Sequence, residues 1–198
     1  MLFSKSFIEK YLCKFPLAYA NLRILFGAKD WEKQAFLKTI RPRWTVVEIG
    51  ANLGYFTNLF QTLVGTSGQV HAFEPVPSTF QQLKSSIPKV SNHCKLYNLG
   101  TSKEAGEVIF HIPKIDHGQA TMCPHDCNTW KNREIKEVLC SVIKLDEFIP
   151  ISSLTKIDFI KIDVEGAELP SLQGAEIILM KHKPLLFVEV CKAWMKSF

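Results

Sequence analysis

Short apolar runs alternate with stretches of helical periodicity along most of this chain. Runs rich in Val, Ile, Leu and Phe predict buried strands at residues 45–49, 69–73, 95–99, 157–162 and 184–190. Apolar residues at helical spacing predict helices over residues 31–40, 54–64, 77–88 and 169–179. Such alternation is typical of an α/β fold with a doubly wound, mostly parallel sheet and helices on both faces.

The alternation is interrupted in the middle of the chain. Residues 107–112 and 138–144 have strand-like patterns with no apolar helix between them, which predicts a strand pair. The polar span between the two strands, residues 113–136, would then be a long loop. Because long loops in compact domains are usually functional or mobile, we expect this one to take part in substrate recognition.

Residues 1–44 have a helical pattern with breaks near Pro16 and Gly27. They predict a helical extension or cap, followed by a main domain at residues 45–198. Apolar side chains at helical spacing favour packing on the core, or a cap over a cleft, above binding to a membrane surface; they are Phe7, Ile8, Tyr11, Leu12 and Phe15. Charged residues interrupt this segment, so no uncharged run reaches the length of a signal peptide or a membrane span.

The turn after the first predicted strand carries the strongest chemical signal. The sequence Gly-Ala-Asn-Leu-Gly at residues 50–54 joins a strand directly to a helix, so a ligand can approach the backbone closely. Twenty residues past Gly54, the second strand ends in Glu74, where an acid can hold ribose hydroxyls. The pattern indicates a cofactor that resembles a nucleotide.

The same turn discriminates between cofactors. The dinucleotide fingerprint has a glycine where this chain has Asn52, and Glu48 precedes the first glycine by two residues. A carboxylate there would repel a pyrophosphate but attract a cationic group. S-adenosylmethionine has an ammonium, a sulfonium and a ribose and no phosphate, so it fits better than NAD. An NAD-type oxidoreductase is the rival interpretation.

Several motifs in a fixed order resemble one enzyme family. They are residues 48–56, 72–77, 145–146 and 157–168, with Lys183-Pro184 and Val188-Glu189 later in the chain. Over about residues 32–190 the chain resembles the FkbM family of S-adenosylmethionine-dependent methyltransferases. The resemblance implies a Rossmann-like class I methyltransferase sheet. It also implies methyl transfer to a hydroxyl of a sugar, a lipid-linked glycan or a secondary metabolite such as a polyketide.

The resemblance and the predicted strand ends together suggest roles for named residues. The methionine end of the cofactor would be shaped by Glu48, Gly50, Ala51, Asn52 and Gly54. Glu74 and Pro75 would lie at the ribose, and Asn98 and Leu99 would border the adenine. Asp163 would lie near the transferred methyl, and the candidate catalytic acids are Asp163, Glu165 and Glu189.

Other chemistry is considered for the same region. The carboxylates could hold a divalent metal instead, although we expect no metal. His111 and His117 are alternative bases, whereas His71 lies within a strand and is expected to be packed. A zinc site at His117, Cys123 and Cys127 is a further alternative, but no second Cys or His pair follows at a finger-like distance.

Two departures from the family pattern affect the interpretation. The first-strand acid is usually Asp in the family and is Glu48 here. The sequence also stops soon after the fifth main strand, whereas a class I methyltransferase sheet has two more strands. A truncated or degenerate domain that binds a ligand or partner without turnover is therefore an alternative. Since an uncovered sheet edge invites association, a homodimer is expected.

Charge and cysteine content limit the partners and the compartment. The net charge is +5 at pH 7, and the basic residues are scattered, so we expect no nucleic-acid partner. The six cysteines are spread along the chain without the spacing of a small disulfide framework. Reduced thiols and a cytoplasmic location are the expectation.

Overall fold

A five-stranded parallel sheet forms the centre of the molecule. The computed structural model describes residues 31–87, 93–113, 120–122 and 134–190. The strands are β1 (Thr45–Ile49), β2 (Gln69–Phe73), β3 (Cys94–Tyr97), β7 (Phe159–Ile162) and β8 (Leu185–Val188), in the spatial order β3-β2-β1-β7-β8. All four neighbouring pairs are parallel. Strands β2 and β3 lie on one side of β1, and β7 and β8 lie on the other side. The strand order therefore has a switch point between β1 and β7, where such sheets bind their ligands.

Alternation along the strands divides the side chains between two cores. Phe36, Val46, Phe60 and Phe159 pack together on one face, under α1 (Trp31–Thr39) and α2 (Tyr55–Val64). The other face buries Val47, Ile49, Phe73, Ile160, Ile162 and Ile178. It is covered by a 3₁₀ turn (Leu145–Glu147), α4 (Ile149–Ser152) and α6 (Glu176–His182). Both faces of the sheet are thus buried, as parallel sheets require.

A small second sheet lies beside the first. Its strands are β4 (Gly100–Thr101), β5 (Gly106–Pro113) and β6 (Ile135–Ile143), in the order β4-β6-β5. Strands β5 and β6 are antiparallel, which confirms the predicted strand pair. Phe110, Ile112, Cys140 and Val142 form its buried face with Val76.

The remaining helices have identifiable starts and ends. α3 (Pro77–Ser86) begins at Pro77, as predicted, because proline has no N–H to leave unpaired in the first turn. α5 (Glu168–Gln173) follows β7 and contacts β4 through the hydroxyls of Thr101 and Ser171, which are 2.8 Å apart. The Asp146 carboxylate accepts from the N–H groups of Ile177 and Ile178 at 3.0 and 2.9 Å and so caps α6 from a distant part of the chain.

Most predicted elements are confirmed, with three corrections. The single helix predicted at 169–179 is two helices: the Asp146 N–H donates to the Gly174 carbonyl, and the Asp146 carboxylate caps the second helix. The sequence did not indicate β4, which is two residues long, or α4. The central strand predicted at 157–162 begins at Phe159; the Asp158 carboxylate just before it accepts a hydrogen bond from the Thr45 N–H at 2.9 Å.

Several expectations fall on residues outside the described ranges. They concern the helical pattern of residues 1–30, most of the loop at 113–136, and the candidate zinc ligands His117, Cys123 and Cys127. Within the described ranges, no helix combines the length and the apolar character needed to cross a membrane. No strand among the described residues pairs with the outer edge of β8, where Leu185 and Leu186 are about half exposed.

Candidate active site

A cavity of about 170 Å³ opens at the carboxyl ends of the parallel strands. One wall comes from the main sheet and the segments that follow its strands: Ile49, Gly50, Asn52, Phe73, Glu74, Pro75, Leu99, Asp163, Val164, Glu165, Ala167 and Glu189. The second wall belongs to the small sheet and its neighbourhood: Gly100, Thr101, Phe110, Ala120 and Met122. The cavity therefore lies at the switch point between β1 and β7, with the strand pair as its second side.

The turn after β1 is held in a conformation that requires glycine. Gly50 and Gly54 have φ values of 86° and 88°, and Asn52 has 49°. A Cβ on Gly50 would overlap the backbone carbonyl of Asp163, so β1 and the segment after β7 can approach each other only at a glycine. At Gly54 a Cβ would lie 2.6 Å from the Ser86 hydroxyl. The second position must therefore also be glycine, because the turn packs closely against α3 there.

Glu74 is fixed in the cavity wall by the backbone. Its Oε2 accepts from the Asn52 N–H and its Oε1 from the Val76 N–H, both at 3.0 Å. Glu74 is 6% exposed. Burial raises the pKa of its carboxyl to about 7, although the two hydrogen bonds act to lower that pKa. Behind it, the Asn98 amide donates to the carbonyls of Glu74 and Pro75, each at 2.9 Å.

Four backbone N–H groups of the first turn are already occupied. Gly50 and Ala51 both donate to the Phe73 carbonyl, at 3.0 and 2.9 Å, and Gly54 donates to the Ala51 carbonyl at 2.9 Å. Asn52 donates to Glu74. A pyrophosphate in a dinucleotide fold is held by backbone N–H groups at this turn, and these four are not free to hold one.

Glu48 lies beneath the cavity, outside its lining. Strand alternation directs it to the α2 side, where the Thr57 hydroxyl donates to its Oε2 at 2.6 Å. The side chain is fully buried, and this burial raises the pKa of Glu48 to about 7 despite the opposing charge of Lys161.

A buried lysine on β7 meets the candidate catalytic acid. The Lys161 ammonium donates to Asp163 Oδ2 at 2.7 Å and lies 5.1 Å from the centre of the Phe56 ring. Lys161 pairs with Glu48 in the register of β7 and β1. The sequence signal was a single lysine within the apolar strand Phe-Ile-Lys-Ile, and it was not recognised as part of the site.

Asp163 and Glu189 form a hydrogen-bonded carboxyl pair. Burial opposes the ionisation of Asp163, but Lys161 and hydrogen bonds from Glu189 and Lys161 outweigh it, so its pKa lies below the ordinary value. The hydrogen bond with Asp163, together with partial burial, raises the pKa of Glu189 to about 8. At neutral pH the two carboxyls therefore share one proton.

Glu165 approaches the cavity from a turn after β7. It has a φ of 51°, and its carbonyl accepts a hydrogen bond from the Thr121 hydroxyl at 2.6 Å. Since Thr121 is also bridged to His111, this contact ties the second wall to the carboxyl edge of the main sheet.

The histidines take different positions. His71 is buried in β2, with Nδ1 3.0 Å from the Tyr97 hydroxyl and Nε2 3.2 Å from Gln69 Oε1, and burial lowers its pKa to about 4. His111 lies on β5 with Nδ1 3.6 Å from Glu137 Oε1 and is not in the cavity lining. Among the described residues, no group of three or more His, Cys, Asp or Glu side chains is placed to hold a metal ion.

The structure brings most of the predicted site residues together. Those that line the cavity are Gly50, Asn52, Glu74, Pro75, Leu99, Asp163, Glu165 and Glu189. Four others lie behind the lining: Glu48, Ala51, Gly54 and Asn98. Ala51 packs against Ala72 and Leu83. Sequence reasoning missed Phe73, Thr101, Phe110 and Met122, whose apolar or small side chains give no chemical signal of their own.

The parallel sheet, its strand order and the cavity at the switch point define a Rossmann-like α/β domain of the class I methyltransferase type. Residues 48–197 match the family model of the methyltransferase FkbM domain. Since this match covers most of the chain, the protein belongs to the FkbM methyltransferase family.

Curated relatives are similar over part of their length. A hexuronic acid methyltransferase, AglP, from Haloferax volcanii is 28% identical over 127 residues, which are 64% of this chain and 48% of the relative. Methyltransferase 1 from Beauveria bassiana is 27% identical over 146 residues, 66% of this chain and 58% of the relative. The chain thus spans about half of the length of these relatives.

A solved structure, the methyltransferase FkbM from Methylobacillus flagellatus, is 19% identical and superposes with a TM-score of 0.49. The superposition covers 79% of this chain and 39% of that one.

Proposed function

We propose that this protein is an S-adenosylmethionine-dependent methyltransferase that methylates a hydroxyl of a sugar, a glycan or a secondary metabolite. The observation that carries the proposal is Glu74, a buried acid held in the cavity wall at the carboxyl end of β2. Each carboxylate oxygen accepts one backbone N–H and retains lone-pair capacity for a further donor, such as a ribose hydroxyl.

The residues present fit S-adenosylmethionine. Glu74 would hold the ribose, while Leu99 and Phe73 offer an apolar surface beside it for the adenine. Gly50 and Asn52 would border the methionine end. The enclosed volume of about 170 Å³ is below the ~300–1,000 Å³ of typical ligand pockets, so the cofactor would lie partly outside it. When bound, the cofactor supplies an electrophilic methyl group on a sulfonium.

The acids that line the cavity are suited to bind the acceptor hydroxyl and to take up its proton. A hydroxyl that attacks a methyl group must be aligned at about 3 Å and loses its proton. The hydrogen-bonded pair of Asp163 and Glu189 offers an ionised oxygen in the cavity wall to orient the hydroxyl and accept its proton. Glu165, on the same rim, is a second candidate for orienting the acceptor. Phe110 and Met122 on the opposite wall would exclude water.

A sugar as the acceptor has support outside this chain. AglP from Haloferax volcanii is described as a hexuronic acid methyltransferase. The cavity wall bears polar oxygens suited to hydroxyl groups, and the predicted recognition loop begins at Pro113, the last residue of β5.

The rival enzyme class, an NAD-type oxidoreductase, is disfavoured by the first turn. Its N–H groups are bound to Phe73, Ala51 and Glu74, and two buried acids, Glu48 and Glu74, lie around it. A pyrophosphate would meet carboxylates here in place of free donors.

We further propose a cytoplasmic location and a homodimer. Cys94 and Cys140 are free thiols, which supports a reducing compartment. The half-exposed Leu185 and Leu186 on β8 offer an apolar edge for association. Light scattering coupled to size-exclusion chromatography measures the dimer directly.

A methyl-transfer assay tests the function. The protein is incubated with S-adenosylmethionine and a panel of sugars, uronic acids and polyols, and S-adenosylhomocysteine and methylated product are measured by mass spectrometry. The proposal expects product formation that depends on the acceptor and is lost in Asp163→Asn. Cofactor binding without product from any member of the panel would instead favour a domain that binds without turnover.

A further inference from the structure

Lys161 is a charged residue in a place where charge is costly. It lies on the central strand β7, and only 1% of its side chain is exposed. Its strand neighbours Ile160 and Ile162 belong to the apolar core. A buried ammonium is tolerated only when it is paired, so its partners determine what it does.

The partners of Lys161 connect it to the candidate catalytic acid. The ammonium donates to Asp163 Oδ2 at 2.7 Å, the Phe56 ring covers it at 5.1 Å, and Glu48 lies beside it in the strand register. Asp163 lines the cavity and Lys161 does not, so Lys161 can act on the cavity only through Asp163.

We propose that Lys161 is a positioning residue of this site. Its ammonium holds Asp163 as an ionised carboxylate in one orientation, so the single proton of the Asp163–Glu189 pair stays on Glu189. Only the consequence for turnover rests on the proposed methyl transfer; the ionisation of Asp163 does not.

The charges around Asp163 agree with this role. The acids of the cluster act on one another: Glu48 interacts with Asp163 and Glu74, and Glu189 interacts with Asp163, Glu32 and Glu165. Glu189 donates a hydrogen bond that favours the ionised form of Asp163, and Lys161 is the cation that lowers the pKa of Asp163. Without the ammonium, burial and the charge of Glu48 would favour the protonated form of Asp163.

The test separates a positioning lysine from one that only stabilises the fold. Carboxyl carbons of Asp and Glu are labelled with ¹³C, and the resonance of Asp163, assigned with Asp163→Asn, is titrated with pH. The titration is run on wild type, Lys161→Met, Lys161→Arg and the exposed strand lysine Lys95→Met as a control. The affinity for S-adenosylhomocysteine is measured on each by calorimetry.

The proposal expects the Asp163 midpoint to move to higher pH in Lys161→Met, to stay low in Lys161→Arg, and to match wild type in Lys95→Met. In the methyl-transfer assay, kcat of Lys161→Met falls by ~10²-fold at pH 7 and its acidic limb moves to higher pH. The affinity for S-adenosylhomocysteine changes much less than kcat, because Lys161 is outside the cavity lining.

An Asp163 midpoint in Lys161→Met that equals wild type overturns the proposal. If Lys161→Met does not fold, the double variant Lys161→Met with Glu48→Gln removes one charge of each sign, and its Asp163 midpoint is compared with that of Glu48→Gln alone. The titration needs no acceptor and no turnover. An inactive wild type would therefore count against methyl transfer and leave this measurement to decide the role of Lys161.

Discussion

At the scale of single residues, Glu74 is the acid on which cofactor binding should depend most. Its two oxygens are held by the N–H groups of Asn52 and Val76, which aim the carboxylate at the cavity. We expect Glu74→Ala to weaken the binding of S-adenosylhomocysteine by about 1–3 kcal/mol, since charge-assisted hydrogen bonds are lost. Calorimetric titration measures this, with Glu107→Ala, an exposed acid on β5, as the control. An unchanged dissociation constant in a folded Glu74→Ala protein would remove Glu74 from the site.

Asp163 should matter for turnover more than for cofactor affinity. Asp163→Asn keeps the shape of the side chain but removes the base, so kcat should fall by ~10²–10⁴-fold with a small change in cofactor affinity. Glu165→Gln tests the second candidate under the same conditions. Wild-type kcat in both variants would show that these acids are structural and that another group accepts the proton.

Burial of Glu48 should make the free energy of unfolding depend on pH. Its pKa is about 7 when folded and 4.5 in its ordinary state, so the folded protein binds this proton more tightly. The contribution to stability is therefore fully present below pH 4.5 and is lost as the pH rises towards 7. The free energy of unfolding of wild type minus that of Glu48→Gln should fall between pH 4.5 and 7. Denaturant unfolding at several pH values measures it, and a difference that does not vary with pH would contradict the burial of an ionisable Glu48.

The sequence was enough to predict acids at the strand ends. It was not enough to predict which face of the sheet each acid lies on. Asp163, Glu74 and Glu189 follow apolar strands, and all three line the cavity. Glu48 also precedes a strand end, but its position in the alternation of β1 directs it towards Thr57 on α2. Lys161 could not be assigned, because its partner Asp163 is recognised only when both side chains are seen on one face.

At the scale of elements, the turn from β1 to α2 should tolerate no side chain at its first glycine. Gly50 has a positive φ, and a Cβ there would overlap the Asp163 carbonyl. We expect Gly50→Ala to destabilise the fold by about 1–3 kcal/mol or more and to weaken cofactor binding. Gly106→Ala is the matched control, because nothing lies within 4 Å of a Cβ at Gly106. Equal unfolding free energies for the two variants would show that the close approach at Gly50 is not needed.

Element order was predictable from periodicity, whereas the breaks within elements were not. The apolar spacing at residues 169–179 continues through Gly174, and only the hydrogen bonds with Asp146 show why the helix divides there. Likewise, β4 exists because Gly100 and Thr101 pair with β6, which lies some forty residues later. Such contacts between distant parts of the chain leave no local pattern.

At the scale of the whole molecule, two sheets enclose one cavity. The parallel sheet supplies the carboxylates and the turn, and the strand pair supplies Phe110 and, near it, Met122. This division predicts that cofactor binding depends on the first sheet and acceptor choice on the second. The family resemblance and the strand pattern anticipated the first sheet well, whereas the apolar second wall became visible only in the structure.

The central claim is that the cavity holds S-adenosylmethionine rather than a dinucleotide, and one measurement tests it directly. The wild-type chain and Glu74→Ala are titrated by calorimetry with S-adenosylhomocysteine and, separately, with NAD. The account predicts saturable binding of S-adenosylhomocysteine at one site per chain, weaker binding in Glu74→Ala, and no heat from NAD. Saturable binding of NAD by the folded wild-type protein, without binding of S-adenosylhomocysteine, would contradict it.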